Sequence, residues 1–236
     1  MKKLVLSGVV AAALAVSSMA ESNYYVGAGY NMLSGTHTIP YNINYGTSLE
    51  SQGAVDHNDE DKIDDLDADG STIKFGWDNQ SYRLEISYSS IKVEGTGNMF
   101  SSYTAYSDGT TDVTKTSQTF DEKITGIDFD VVVPFSENEL KPYVTAGIGS
   151  YNWGDFYRGL VTSTATYSVS GDRSGLAYNL GAGLLYSIGA LELDIAYKWK
   201  KISWEDVTLN LSNTDFTYAD EDTTLSGLYA GINYHF

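Results

Sequence analysis

The chain has 236 residues, no cysteine, three prolines and a formal net charge of −17. Without cysteine, neither a disulfide framework nor a thiolate metal site can form. A chain this acidic cannot neutralise many phosphates, so nucleic acid is excluded as a partner. Its 19 tyrosines and 23 glycines suit strands that face lipid on one side and a packed or wet interior on the other.

The amino-terminal segment has the three parts of a secretory signal. Lys2 and Lys3 supply a positive start, residues 4–16 form an apolar run, and Ser18-Met19-Ala20 has the small-x-small pattern of a cleavage site. The apolar run is too short for a spanning helix. We therefore predict a cleaved signal peptide at residues 1–20 and one mature domain at residues 21–236.

Eight later segments alternate between apolar and polar residues with a period of two, which is typical of half-buried strands. The cleanest is the third, in which Leu84 and Ile86 alternate with Arg83 and Glu85. In chain order the predicted strands are Asn23–Leu33, Thr72–Asp78, Tyr82–Ser90, Lys123–Phe135, Tyr143–Trp153, Leu176–Ile188, Leu191–Ile202 and Leu225–Phe236.

The links between these segments are alternately short and long. The short links are 78–81, 136–141 and 189–190, and the long ones are 34–71, 91–122, 152–175 and 203–222. Outer-membrane barrels have short periplasmic turns and longer extracellular loops, and their sheets must close because an open edge cannot face lipid. The sequence therefore predicts an all-β, eight-stranded antiparallel transmembrane β-barrel in the bacterial outer membrane. It has an up-and-down meander, short periplasmic turns and four long extracellular loops.

Aromatic residues recur near the ends of the predicted strands, where barrels carry interfacial girdles. We predict that the girdle residues are Tyr24, Trp77, Tyr82, Tyr143, Tyr186, Trp199 and Tyr234.

Charged residues recur at the inward positions of the predicted strands. They are Lys74, Arg83, Glu85, Asp128, Asp130, Glu192, Asp194, Lys198 and Lys200. Eight strands leave an interior just wide enough for side chains, so we interpret these groups as a lumen network of ion pairs. The alternative is a narrow porin-like channel that the same charges line.

The first long link is dense in carboxylates. Asp65, Asp67 and Asp69, followed by Gly70, match the first half of a calcium-binding loop. The match then fails, because its twelfth position is Gly76, where a bidentate glutamate is required. A solvated acidic loop is the simpler interpretation. A weakly bound Ca²⁺ at these three carboxylates in the first extracellular loop is the alternative, and we predict no other cofactor.

An enzyme would need a base, and the chain has three histidines. His37 and His57 fall in the first long link, and His235 falls at the predicted periplasmic end of the last strand. No His-x-Ser pair occurs on a strand, as a Ser-His-acid hydrolase of lipid would require at the outer rim. We therefore predict no enzymatic activity, and a barrel enzyme acting on lipid is the least favoured alternative.

Three stretches carry a family resemblance: Tyr25-Val-Gly-Ala-Gly-Tyr30, Lys141-Pro-Tyr-Val-Thr-Ala-Gly-Ile-Gly149 and Tyr234-His-Phe236. With the alternating strands, they resemble the small eight-stranded outer-membrane barrels, such as the OmpA transmembrane domain, OmpX and the opacity proteins. The resemblance implies that Tyr234 and Phe236 form the signal read by the barrel-assembly machinery. It also implies contact with membrane lipid and lipopolysaccharide. We expect an envelope-stabilising or adhesin-like role, in which the acidic loops contact a host or cell-surface ligand.

Overall fold

A computed structural model describes residues 23–45, 57–79, 81–105, 111–161, 166–211 and 214–236. The predicted signal peptide lies outside these residues. Among the described residues, no helix is long and apolar enough to cross a membrane. The strands are β1 (Tyr24–Tyr45), β2 (His57–Asp78), β3 (Arg83–Ala105), β4 (Thr111–Pro134), β5 (Leu140–Val161), β6 (Thr166–Ile188), β7 (Leu191–Trp204), β8 (Val207–Leu211), β9 (Thr214–Tyr218) and β10 (Asp222–His235).

Eight of these strands close into a ring. Each of β1 to β6 pairs antiparallel with the next strand, and β10 pairs with both β7 and β1. The predicted eight-stranded antiparallel barrel is therefore confirmed. The remaining strands, β8 and β9, form a hairpin, and β9 pairs with the last five residues of β1.

The strand register fixes the dimensions of the barrel. Cross-strand partners followed once around the ring are Tyr25, Gly76, Glu85, Asp130, Gly147, Asn179, Lys200, Leu225 and Gly35. The path returns to β1 ten residues further along, from Tyr25 to Gly35. With a rise of about 3.3 Å per residue and strands about 4.8 Å apart, this shear tilts the strands by about 40° and gives a radius of about 8 Å. A barrel of this size is filled by side chains rather than by bulk water.

The two ends of the barrel differ in their connections. The turn end carries the three short links, the start of β1 and the end of β10. The hairpin end carries the far ends of the long strands. Beyond the ring, β3 and β4 remain paired with each other as far as Ala105 and Thr111, and β5 and β6 remain paired as far as Val161 and Thr166. Most residues of the four predicted long links therefore lie in strands, which extend the barrel as tall hairpins at this end.

The alternation of faces follows the predicted pattern within the ring. On β7, Leu193, Ile195 and Tyr197 face outward, while Glu192 and Asp194 are buried inside. The prediction that Tyr143 belongs to the aromatic girdle is wrong. Tyr143 is only 4% exposed and lies inside the barrel. Side chains alternate along β5, so Tyr143 lies on the same inner face as Thr145, whereas Val144 lies on the outer face.

Luminal tyrosines lie across luminal glycines of neighbouring strands. A Cβ atom added at Gly76 would meet the Tyr25 ring, and one at Gly126 would meet the Tyr151 ring, in both cases at less than 3 Å. The glycines therefore leave the space in which large rings fold down across a narrow lumen.

The interior holds two apolar clusters of different size. The smaller, at the turn-end half of the lumen, contains Val132, Tyr143, Leu185, Ala196 and Tyr229. The larger, which we call the hairpin-end core, contains Leu33, Ile39, Tyr41, Ile63, Leu66, Ala68, Ile91, Val93, Ile124, Tyr151, Trp153, Ala177, Ile202, Trp204, Tyr218 and Leu225. The hairpins are therefore built around an apolar centre, as a soluble domain is.

Candidate functional site

An apolar belt surrounds the outside of the ring. Most of the large apolar side chains on its outward face are exposed, by 37–64%. On β6 the belt runs from Leu176 to Ile188 and on β1 from Tyr24 to Met32. At about 3.3 Å per residue and about 40° of tilt, these runs correspond to about 30 Å and about 20 Å along the barrel axis. A continuous apolar surface of this extent is not found on soluble monomers.

Charged residues close the lumen at its turn end. The Arg83 guanidinium donates two hydrogen bonds to Glu192, at 2.6 and 2.9 Å, and Arg83 Nε lies 2.8 Å from Asp78 Oδ2. Asn233 also donates to Glu192 at 3.0 Å, and His235 Nε2 lies 3.4 Å from the same carboxylate. Arg83 and Glu192 are almost fully buried, so each depends on the other to offset its loss of water.

A second group of ion pairs occupies the middle of the lumen. Lys74 Nζ lies 2.7 Å from Asp194 Oδ2 and 3.2 Å from Glu85 Oε1. Each carboxylate also accepts a tyrosine hydroxyl, Tyr143 on Asp194 at 2.7 Å and Tyr25 on Glu85 at 2.5 Å. The buried ammonium is therefore shared between two carboxylates that strands β3 and β7 supply from opposite walls.

A third group lies below the hairpin-end core. Lys200 Nζ contacts both oxygens of Asp128, at 2.7 and 2.8 Å, and the Tyr151 hydroxyl donates to Asp128 at 2.7 Å. Lys198 lies over the Tyr229 ring at 3.9 Å from its centroid. A cavity of about 30 Å³ separates these side chains and has room for about two water molecules.

The nine charged residues predicted for the lumen all lie inside the barrel. Seven of them make direct ion pairs, Asp130 accepts a hydrogen bond from Asn179 at 3.4 Å, and Lys198 makes the ring contact described above. Three successive polar layers and then an apolar core therefore fill the described interior.

The hairpin-end core contains a group of buried polar residues that sequence reasoning missed. We call it the buried node: His37, Arg173, Glu221 and Thr223. The two nitrogens of His37 lie 2.8 Å from Thr223 Oγ1 and 2.8 Å from Glu221 Oε1. Arg173 pairs with the other oxygen of Glu221. All four are at most 4% exposed.

One tautomer satisfies this arrangement. Trp204 Nε1–H donates to Thr223 Oγ1 at 2.8 Å. The Thr223 hydroxyl is then free to donate to His37 Nδ1, and His37 Nε2–H donates to Glu221. The order Thr223, His37, Glu221 is that of a nucleophile, a base and an acid. The group is buried next to Trp153 and Trp204, and its contacts join β1, β6 and the start of β10.

The predicted loop features occupy strand positions. His37 lies within β1 and His57 begins β2, so the loop placement of both is wrong. Asp65, Asp67 and Asp69 lie on β2 with exposed side chains, so they occupy a strand and not a loop. Asp65 has a φ of 59°, and the Tyr30 hydroxyl donates to Asp69 at 2.5 Å. In the part of the chain that the structure describes, no three histidine, aspartate or glutamate side chains are grouped closely enough to hold a metal ion.

A lysine joins β1, β2 and β4 beyond the ring. Lys115 Nζ lies 3.0 Å from Asp59 Oδ2 and 2.9 Å from Asp61 Oδ1, and the Tyr41 hydroxyl donates to Asp59 at 3.0 Å. Burial alone would raise the pKa of the Asp59 carboxyl, but the hydrogen bonds from Lys115, the Glu60 amide and Tyr41 outweigh it and lower that pKa. Burial also raises the pKa of the Tyr41 hydroxyl, and Asp59 adds to this effect.

We expect the Asp59 carboxyl to titrate below the ordinary aspartate range, and its midpoint to rise in Lys115→Met. A carboxyl whose pKa is lowered by folding contributes stability that is fully present above its unfolded pKa, about 3.9. That contribution is lost as the pH falls through the lowered value. Carboxyl ¹³C NMR of Asp59 measures the midpoint. Lys62→Met is the control, because Lys62 pairs with Asp64 instead. An Asp59 midpoint unmoved by Lys115→Met would contradict the assignment.

A shallow cavity of about 420 Å³ opens at the turn end, beside the lumen closure. Its lining includes Asp78, Arg83, Lys141, His235 and Phe236. Tyr234 and Phe236, predicted as the assembly signal, stand edge to face with ring centroids 5.3 Å apart. Tyr234 is 47% exposed on the outward face, so it belongs to the apolar belt.

Comparisons with known proteins add structural likeness only. No family model matches the chain, and no curated protein matches it in sequence. Neisserial surface protein A is 15% identical with a TM-score of 0.44, and 91% of this chain and 98% of that one align. Ail of Yersinia pestis is 14% identical with a TM-score of 0.35, covering 91% and 99%. The N-terminal barrel domain of Pseudomonas aeruginosa OprF is 13% identical with a TM-score of 0.32, covering 90% and 98%. These three are small eight-stranded outer-membrane barrels, but likeness at this level assigns no function.

Proposed function

We propose that the chain spans the bacterial outer membrane as a closed barrel and acts at the cell surface through its hairpin end. The observation that carries the membrane assignment is the apolar belt. Its height of about 20–30 Å agrees with the apolar band of about 25 Å on outer-membrane barrels. The turn end then faces the periplasm, and the tall hairpins stand outside the cell.

The filled interior supports a surface role rather than transport. Any ion entering from the turn end meets Arg83 and Glu192, then Lys74 with its two carboxylates, then Lys200 with Asp128. Beyond these layers the hairpin-end core excludes water. Passage of an ion would require several buried ion pairs to separate at once, each at a cost of several kcal/mol.

The hairpins themselves are suited to contact. Paired strands and an apolar core support them, and the exposed Thr96, Asn98 and Thr119 make the described outward face of the β3–β4 hairpin polar. An envelope-stabilising or adhesive role needs loops that a rigid scaffold positions, and here the paired strands are the scaffold for the hairpin tips. We propose the same role instead of catalysis, because His37 is fully buried and His235 is engaged with Glu192 at the periplasmic end.

Purified protein in planar bilayers tests this proposal. We expect heat-modifiable migration on gels, localisation in the outer-membrane fraction and no steady ion conductance. Removal of the hairpin tips should reduce binding of whole cells to host or bacterial surfaces without loss of insertion. A reproducible unitary conductance would favour the narrow channel instead, and recovery of the mature chain from the soluble periplasm would overturn the membrane assignment.

A further inference from the structure

On the outward face of β3 and β4, the two residues of each cross-strand pair have similar chemistry. We call each such pair a rung, and successive rungs cross the membrane boundary. In cross-strand register, Ile86 faces Phe129 and Tyr88 faces Ile127, and these four side chains are 46–52% exposed. The next rung pairs Ser90 with Thr125, the next Lys92 with Lys123, and the next Glu94 with Asp121. The order along the barrel axis is therefore apolar, hydroxyl, cationic and acidic.

The Lys92–Lys123 rung places two like charges directly opposite each other, which destabilises a sheet unless an anion lies nearby. Lys92 pairs upward with Glu94 at 2.5 Å and with Asp121 at 3.2 Å. Lys123 is exposed, and among the described residues no carboxylate lies within 4.0 Å of its ammonium. The ammonium of Lys123 is therefore not paired with a carboxylate of the described residues, and the Ser90–Thr125 pair is its neighbour on the membrane side.

We propose that this rung binds the phosphate group of an anionic lipid in the outer leaflet. The inference rests on the proposed membrane-spanning barrel. Ammonium groups and hydroxyls are the donors that suit phosphate oxygens. The acyl chains of the same lipid would lie along Tyr88, Ile127 and the apolar residues beneath them. A free phosphate ion has no acyl chains to place against these apolar residues, so the site should bind a lipid phosphate more tightly than a free one.

The rest of the wall that the structure describes lacks this order. Besides Lys115, which Asp59 and Asp61 hold, four exposed or half-exposed lysines with described side chains lie on the outward face of the ring strands: Lys62, Lys92, Lys123 and Lys201. Lys62 pairs with Asp64, and Lys201 pairs with Asp222 at 2.7 Å. On β1 and β2 the corresponding region carries Asp67 and Asp69, which would repel a phosphate. The bound lipid is therefore expected on one side of the barrel only.

Native mass spectrometry of the full chain in detergent tests the site, with bisphosphorylated lipid A and its dephosphorylated form as probes. We expect the wild type to retain the phosphorylated lipid preferentially, and K92Q/K123Q to bind it about tenfold more weakly. The matched control K62Q/K201Q makes the same change in net charge on the outward face and should stay within about twofold of the wild type.

Three results would overturn the site: equal affinity in K92Q/K123Q and the wild type, an equal loss in the control variant, or no preference for the phosphorylated probe. Displacement of the lipid by millimolar inorganic phosphate would identify a soluble-anion site and overturn the lipid assignment. Heat-modifiable migration and insertion into vesicles are scored on the same preparations. An inserted barrel without phosphate preference overturns this inference alone, whereas a chain that does not insert overturns the proposed function as well.

Discussion

Replacement of Glu192 with alanine is expected to lower the free energy of unfolding by about 3–5 kcal/mol. Glu192 is fully buried and accepts two hydrogen bonds from Arg83, and it also contacts Asn233 and His235. Its removal leaves the Arg83 guanidinium inside a lumen without its principal counter-charge. A charge left alone in such a place costs more than the ion pair contributed, because its water shell is not restored.

Urea titration of the refolded barrel in detergent, followed by heat-modifiable migration, measures the loss. Glu94→Ala is the control, since Glu94 pairs with Lys92 on the exposed surface and should cost less than about 1 kcal/mol. The double variant R83M/E192L removes both charges and should be more stable than E192A. If E192A unfolded at the same urea concentration as E94A, the lumen closure would not depend on this pair.

The membrane-embedded part of the fold could be predicted from the sequence because its two faces meet different surroundings. Lipid requires an apolar residue at every outward position, and a narrow lumen requires small, aromatic or paired polar residues at the inward ones. Ile86 and Glu85 show this contrast directly. The nine lumen charges could be located for the same reason. Their pairing could not, because it joins strands that are far apart in the sequence, as Arg83 and Glu192 are.

The hairpin end could not be predicted because its strands have water outside and apolar residues inside. Outward Thr38 and Asp67 then look like loop residues, although inward Ile39, Leu66 and Ala68 continue the alternation. A register shift between Gly35 and His37 and the positive φ of Asp65 further interrupt the period of two.

This division of the barrel has a consequence for function. The membrane half is held by ion pairs across a polar lumen, whereas the outer half is held by an apolar core that surrounds the buried node. A change in the outer core should therefore loosen the surface hairpins without removing the barrel from the membrane. The proposed surface contact and membrane insertion should then be separable, and the buried node is the position at which a substitution should separate them.

Glu221→Ala is expected to destabilise the outer half of the barrel by about 3–5 kcal/mol while the membrane half stays folded. Glu221 is fully buried and accepts from His37 at 2.8 Å and from Arg173. Without it, an arginine and a histidine would remain inside an apolar core without their shared acceptor. The matched control is Asp222→Ala at the next residue, which faces outward and pairs with the half-exposed Lys201, and which should cost less than about 1 kcal/mol.

Two measurements on vesicle-inserted protein separate the halves. Trp153 and Trp204 lie in the hairpin-end core, so their fluorescence should shift toward that of exposed tryptophan at lower urea concentration in E221A than in D222A. External trypsin should cleave E221A within the hairpins, while the heat-modifiable barrel fragment survives. Simultaneous loss of both signals would mean that the barrel unfolds as one unit. Equal urea midpoints for the two variants would show that the buried node does not hold the outer hairpins together.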